Sequence, residues 1–363
     1  MKYSHHNTLQ VGYQVNGGVY GCPKIDLGPL KFFTDCGGGS SEICNTYKNG
    51  FRSKITLDEL ETEYDEGEET YTDEKLNASY YRSVINFEKI IFIFDWLEQD
   101  LEDKNIYQQN IDNYDFTLHF NLPYDPNSPS FTVLDRNSLE CYSVKNHAWN
   151  KVRGNSKIKL EVFSNYEMNP FSTQHEKYWW RNDESQQFTE INSVKFKTVK
   201  INPYTSNPDP AFISVIDVKG VGESFNNDFS ETNIVTGDVT AVESREIDHK
   251  IMYAFQKNKL NGDVCIHEVL QKHYEMMTDA GNGVVLFDTR TGSIEKCLLY
   301  EATYVIYNGI SLNIGGDKKE EMIISGSGTS TLTVQLDNDG SIDQINPKFR
   351  KPDLTPIINL LLN

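Results

Sequence analysis

Alternation of apolar and polar positions is the strongest signal along the chain. Phe116, Leu118, Phe120 and Leu122 alternate with Thr117, His119 and Asn121. That is the two-residue period of a strand with one buried face, and Pro123 ends it. Ile158, Leu160 and Val162 alternate with Lys157, Lys159 and Glu161, and Val194, Phe196 and Thr198 with Lys195 and Lys197. Ala211 to Val218 reads as a more deeply buried strand. Turn formers separate these runs, as in Tyr124-Asp125-Pro126-Asn127 and in Asn202-Pro203 through Pro210.

The pattern continues in the last third. Asn233 to Val242 and Ile247 to Phe255 are strand-like. Val284–Phe287 and Ile294–Tyr300 flank six loop formers, Asp288 to Ser293, which predicts a hairpin. Ala302 to Tyr307 extends its second arm, and Asn308-Gly309 makes another turn. Ile310, Leu312 and Ile314 then alternate, and Met322–Ile324 and Leu332–Leu336 complete the set.

Helical spacing is found in two places. Over 79–104, Val84, Phe87, Ile91, Phe94 and Leu101 recur at roughly helical intervals, with Asn77 or Ser79 available as cap. Ile90 to Phe94 is apolar on every side, which fits a buried helix; a central strand is the competing reading. After Asp263, Ile266, Val269, Leu270, His273, Tyr274 and Met277 form one continuous helical face, and Gly281 is available to close the element.

These elements predict a mainly β, or β-rich α+β, protein. It would have two β-barrel or sandwich-like domains, one or two packed helices and an extended N-terminal arm. Residues 1–75, with Gly17-Gly18, Gly37-Gly38-Gly39 and the acidic run Glu61 to Glu69, read as an irregular arm. Residues 76–225 form a β-rich domain with one helix, 226–345 a second β domain carrying helix 263–277, and 346–363 a C-terminal tail. The polar stretch between Val221 and Glu231 separates the two domains.

Charge narrows the function classes. With 53 acidic against 34 basic residues the formal charge is −19, and the densest basic stretch is only Lys348, Arg350 and Lys351. Nucleic-acid binders carry clustered Lys and Arg, so specific nucleic-acid binding is not expected. No apolar run approaches the ~20 residues that span a bilayer, and the polar start Met1 to His6 lacks a signal-peptide apolar region. Synthesis and folding in the cytoplasm are therefore expected.

No catalytic, cofactor-binding or metal-ligating set emerges, and no cofactor and no enzyme activity are expected. The six cysteines, Cys22, Cys36, Cys44, Cys141, Cys265 and Cys297, include no C-x-x-C pair and read as free thiols. Cys22, Cys36 and Cys44 with His5 or His6 are a weaker metal alternative. His267 and His273 stand six residues apart, about 120° around a helix, so His273 reads as a packed core side chain. Asp337-Asn338-Asp339-Gly340-Ser341-Ile342-Asp343 has its Gly at the wrong place for a calcium loop and lacks a closing Glu. Gly37 to Ser41 and Gly281-Asn282-Gly283 match no phosphate cradle. Tyr178-Trp179-Trp180 could stack on sugar rings, against the alternative of aromatic packing at a contact.

The order strand, capped helix Asp263–Met277, hairpin and paired strands, over about 233–337, resembles the tail-tube fold of contractile-tailed bacteriophages and type VI secretion tube proteins. The matching parts are that helix, the run from Gly283-Val284-Val285 through Leu336, and Leu298 to Ile306. The resemblance implies a structural virion protein: a tail tube, tube-initiator or hub component. It would self-associate into a ring around an acidic DNA channel and contact other tail or baseplate proteins. Family members are commonly about half this length, which suggests either a decorated tube subunit or a hub or tube-initiator protein whose second tube-like domain the strands from Phe116 to Val218 could supply. The alternatives are a carbohydrate- or receptor-binding β-sandwich and, behind it, a glycoside hydrolase.

Overall fold

The computed structural model describes residues 9–15, 18–19, 39–47, 49–66, 69–99, 111–123, 131–142, 156–180, 187–199, 209–220, 222–258, 262–267, 275–307, 310–313, 319–326 and 332–337. Strands, and no helix, make up the regular structure of these residues. In the first part of the chain they are β1 (Leu9–Val15), β2 (Gly18–Val19), β3 (Gly39–Tyr47), β4 (Gly50–Glu66), β5 (Glu69–Phe87), β6 (Ile90–Gln99), β7 (Ile111–Pro123), β8 (Phe131–Asp135), β9 (Ser138–Tyr142), β10 (Ser156–Ser164), β11 (Ser172–Trp180), β12 (Gln187–Lys197) and β13 (Ala211–Gly220). The rest are β14 (Phe229–Glu231), β15 (Val235–Thr236), β16 (Val239–Ser244), β17 (Lys250–Lys257), β18 (Val264–His267), β19 (Glu275–Thr278), β20 (Asn282–Asp288), β21 (Ser293–Ala302), β22 (Tyr304–Tyr307), β23 (Ile310–Asn313), β24 (Lys319–Gly326) and β25 (Leu332–Asp337).

Antiparallel pairing joins them into four sheets. Sheet I runs β11-β12-β7-β1-β2, and sheet II runs β3-β4-β5-β6-β13-β10-β9-β8. Sheet III runs β14-β16-β17-β20-β21-β24-β25, and sheet IV runs β15-β18-β19-β22-β23. The chain passes from the first pair of sheets to the second through residues 222–228.

Side-chain parity fixes how the sheets stack. From sheet I, Phe116, Leu118, Phe120, Leu122, Val194 and Phe196 pack on Val84, Ile91, Ile93, Leu160, Val162 and Phe212 of sheet II. Tyr253, Phe255, Val285, Phe287 and Leu299 of sheet III likewise pack on Val264, Ile266, Met276, Val305 and Tyr307 of sheet IV. The alternate residues of the two inner sheets are apolar as well. Ile85, Phe87, Phe92, Phe94, Ile213 and Val215 of sheet II meet Val242, Met252, Ala254, Val284, Leu286 and Leu298 of sheet III. The result is four layers in the order I, II, III, IV, with the two inner sheets buried on both faces.

Double burial explains why Ile90 to Phe94 is apolar at every position: Phe92 and Phe94 face sheet III while Ile91 and Ile93 face sheet I. The helix expected over 79–104 is therefore corrected to the hairpin β5–β6. Its turn, Glu88-Lys89, has φ of 49° and 70°, the left-handed pair of a two-residue hairpin turn. The helix expected over Asp263–Met277 is also corrected. Val264–His267 and Glu275–Thr278 are short strands, with Ile266 opposite Met276 and Met276 opposite Tyr307. Val264 and Ile266 are buried while Cys265 and His267 are half-buried, so the two-residue period wins there. Residues 268–274, including Leu270 and His273, lie outside the described residues. The helix behind the tail-tube resemblance is thus replaced by strands at its two described ends.

The arm expected over 1–75 is corrected as well. Leu9–Val15 pairs with β7, and Gly39 to Glu66 supplies the first two strands of sheet II. The acidic run lies in the β4–β5 hairpin, where Glu66 opposes Glu69.

Buried charge is paired. In the core between sheets I and II, Arg82 Nε donates to Asp95 Oδ1 at 2.6 Å and Nη2 to Oδ2 at 3.2 Å. At one margin of the interface between sheets II and III, Lys159 Nζ lies 3.1 Å from Glu161 Oε1 and also pairs with Asp228. Burial pushes the neighbouring Glu161 and Asp217 carboxyls up.

Candidate functional site

The outer face of sheet I is polar and partly exposed. Because Phe116, Leu118, Phe120 and Leu122 of β7 fill the core, Thr117, His119 and Asn121 point the other way. Strand pairing sets Ser193 of β12 opposite Asn121 and Lys195 opposite His119. On the edge strand β11, Gln174 lies opposite Ser193 and Ser172 opposite Lys195. The face thus has two ranks. Thr117, His119, Asn121 and Ser193 are buried. Ser172 and Gln174 are exposed, Lys195 is half-buried and Lys197 is exposed.

Register carries the same face further along β11. Glu176 pairs with Ile191, Tyr178 with Thr189 and Trp180 with Gln187. These positions share the parity of Ser172 and Gln174, whereas Trp179 occupies the intervening parity opposite Phe188. The Tyr178-Trp179-Trp180 segment singled out in the sequence therefore ends the edge strand of this polar face.

His119 is neutral at physiological pH. Burial, assisted by the positive charge of Lys195, lowers it to about 4. A neutral imidazole has one donor and one acceptor nitrogen. With the amide of Asn121 and the hydroxyls of Thr117 and Ser193, it supplies both senses of hydrogen bond behind the exposed margin.

The other candidates named from the sequence do not converge. His267 is a half-buried strand residue. Asp337 ends β25, and 338–343 lie outside the described residues, as do His5, His6, Cys22 and Cys36; Cys44 falls in β3. Gly281-Asn282-Gly283 opens β20 at the interface of sheets II and III. Cys141 and Cys297 are buried in separate cores, and burial pushes the Cys141 thiol up to about 12. Sequence reading missed the buried polar row because alternation identifies the apolar face of a strand and is silent on what the other face does. The signal available for it was the run Thr117, His119, Asn121, richer in hydrogen-bonding groups than in charge.

No protein-family model and no curated protein matches the chain. Among solved structures it is similar to a heparan sulfate lyase HepC mutant from Pedobacter heparinus, at 12% identity and a TM-score of 0.34, covering 70% of this chain and 29% of that one. It is also similar to the heparinase III BT4657 gene product, at 13% identity and a TM-score of 0.35, covering 67% of this chain and 28% of that one. The match spans less than a third of the length of either protein. Both of those proteins are enzymes by name, against the expectation of no enzyme activity for this chain; a likeness at this TM-score decides nothing about its activity.

Proposed function

We propose that the protein binds carbohydrate, with the outer face of sheet I as the saccharide-contacting surface. What supports this reading is the register of β11 on β12 and β7. It sets Tyr178 and Trp180, opposite Thr189 and Gln187, at the same parity as exposed Gln174, with half-buried Lys195, His119 and Asn121 further along the same face, across from Ser172 and Gln174. A sugar ring presents hydroxyls that both donate and accept and a C–H face that packs on aromatic rings. A sheet face that carries amide, ammonium and aromatic residues answers both. The buried rank gives it rigid support.

The test is a glycan array probed with the full chain and with Gln174→Ala. The reading expects retention of a defined set of oligosaccharides and at least a tenfold weaker signal for the variant. Retention of no glycan above background would overturn it.

A further inference from the structure

The interface between sheets II and III has a second polar end, on the opposite side of the apolar patch from Lys159. Arg52 of β4 pairs in register with Ser83 of β5 and points toward sheet III. Its Nη2 lies 2.8 Å from Glu301 Oε2, and its Cζ lies 5.4 Å from the Tyr81 ring centroid. Tyr81 stacks on Trp96 with centroids 4.7 Å apart and donates to Glu98 Oε2 at 3.0 Å. Ser83 Oγ donates to Asn282 Oδ1 at 3.4 Å. The backbone of Gly281 closes the group: a Cβ built there would lie 3.3 Å from Arg52 Nη1 and 3.2 Å from Glu301 Oε2.

Two observations set this cluster apart from a structural ion pair. The first is its set of donors. Arg52 is 8%, Trp96 3% and Asn282 1% exposed, yet Arg52 Nη1, Trp96 Nε1 and Asn282 Nδ2 have no hydrogen-bond partner. All three are donors, and a buried unsatisfied donor costs about 1–3 kcal/mol. The second is the backbone of Glu301. Its φ is 54°, a left-handed conformation that side chains other than Gly, Asn and Asp seldom adopt. Leu298 and Tyr300 face sheet II, whereas Leu299 and Ala302 face sheet IV. Strict alternation would turn Glu301 toward sheet IV. The left-handed step instead brings its carboxylate to Arg52, while its side chain remains 34% exposed.

We propose that Arg52 and Asn282 form an oxyanion-binding site, and that Glu301 is an internal carboxylate occupying the Arg52 fork until an external carboxylate or sulfate displaces it. The guanidinium engages Glu301 through Nη2 while Nη1 has no hydrogen-bond partner, and the amide of Asn282, which accepts from Ser83, has a further unpartnered N–H. A carboxylate or sulfate supplies acceptor oxygens only, which matches a donor-only set. Displacement releases the partly exposed Glu301 side chain into water. This site lies on a different interface from the sheet I face and is independent of the carbohydrate reading.

The experiment is calorimetric titration of the full chain with sodium sulfate and, separately, sodium acetate, in chloride buffer of matched ionic strength. The two arms distinguish sulfate from carboxylate. Glu301→Gln removes the internal competitor and is expected to bind at least one of the anions tenfold or more tightly than the unmodified chain. Adding Asn282→Ala or Arg52→Lys to that variant is expected to abolish the gain. Asn282→Ala keeps the charge of the cluster, so it remains informative if the arginine variant does not fold. No gain in Glu301→Gln, or a gain that survives Asn282→Ala, would overturn the proposal.

Discussion

Arg82 and Asp95 form a two-pronged ion pair between sheets I and II, on facing positions of the β5–β6 hairpin. Their side chains are 6% and 0% exposed. Removing one partner of such a pair strands the other charge away from water, at a cost of about 3–5 kcal/mol. Asp95→Ala is therefore expected to lower the unfolding free energy by that amount in urea titration. A loss below about 1 kcal/mol would mean that water reaches Arg82.

The layer between sheets II and III is a true core, since Phe92 packs edge-on against Phe229 at 5.6 Å and both lie in the cluster shared by the two sheets. Phe92→Ala is expected to cost about 3–5 kcal/mol. The two halves of the chain are expected to unfold together. All four tryptophans, Trp96, Trp149, Trp179 and Trp180, precede residue 221, so their fluorescence reports the first half and far-ultraviolet circular dichroism reports the whole. Coincident transitions support a shared core; a separate dichroism transition would contradict it.

The stability of the protein should depend on the protonation of His119. Its folded value, about 4, lies below the 6.5 of an unhindered imidazole, so between those limits the unfolded chain binds more protons. Its contribution is fully present above pH 6.5 and is lost as pH falls toward 4, amounting to about 3 kcal/mol over the window. His119→Gln abolishes this dependence. The stability difference between the unmodified chain and the variant, measured by urea titration at about pH 7 and about pH 4.5, should shrink at the lower pH. An unchanged difference would mean that His119 is not held neutral.

The β character of the chain was legible in its alternation, and the β10, β13, β20 and β21 segments lie where the period put them. The misread hairpin β5–β6 has a specific cause. Its turn uses Glu88 and Lys89 in left-handed conformations, without the Asn or Gly that usually marks such a turn. Its second strand is buried on both faces, which erases the two-residue period. The β18–β19 segment misled for the opposite reason. Two strands of four residues each are too short to establish a period against helical spacing, and their partners, such as Tyr307, lie far along the chain. The candidate site was half visible. Tyr178 and Trp180 stood out as aromatic, but only strand register relates them to Gln174, Asn121 and His119.

The carbohydrate reading rests on that register, and Trp179 and Trp180 provide its sharpest contrast because adjacent strand positions alternate between faces. The decisive measurement is the dissociation constant of the best oligosaccharide from the array, determined calorimetrically for the full chain, Trp180→Ala and Trp179→Ala. Loss of an aromatic stacking contact to a ligand ring costs on the order of 1–3 kcal/mol. Trp180→Ala should therefore weaken binding roughly tenfold or more, while Trp179→Ala leaves it within about twofold, with both variants unfolding cooperatively. Equal losses in the two variants, or a loss confined to Trp179→Ala, would contradict the assignment of the outer face of sheet I.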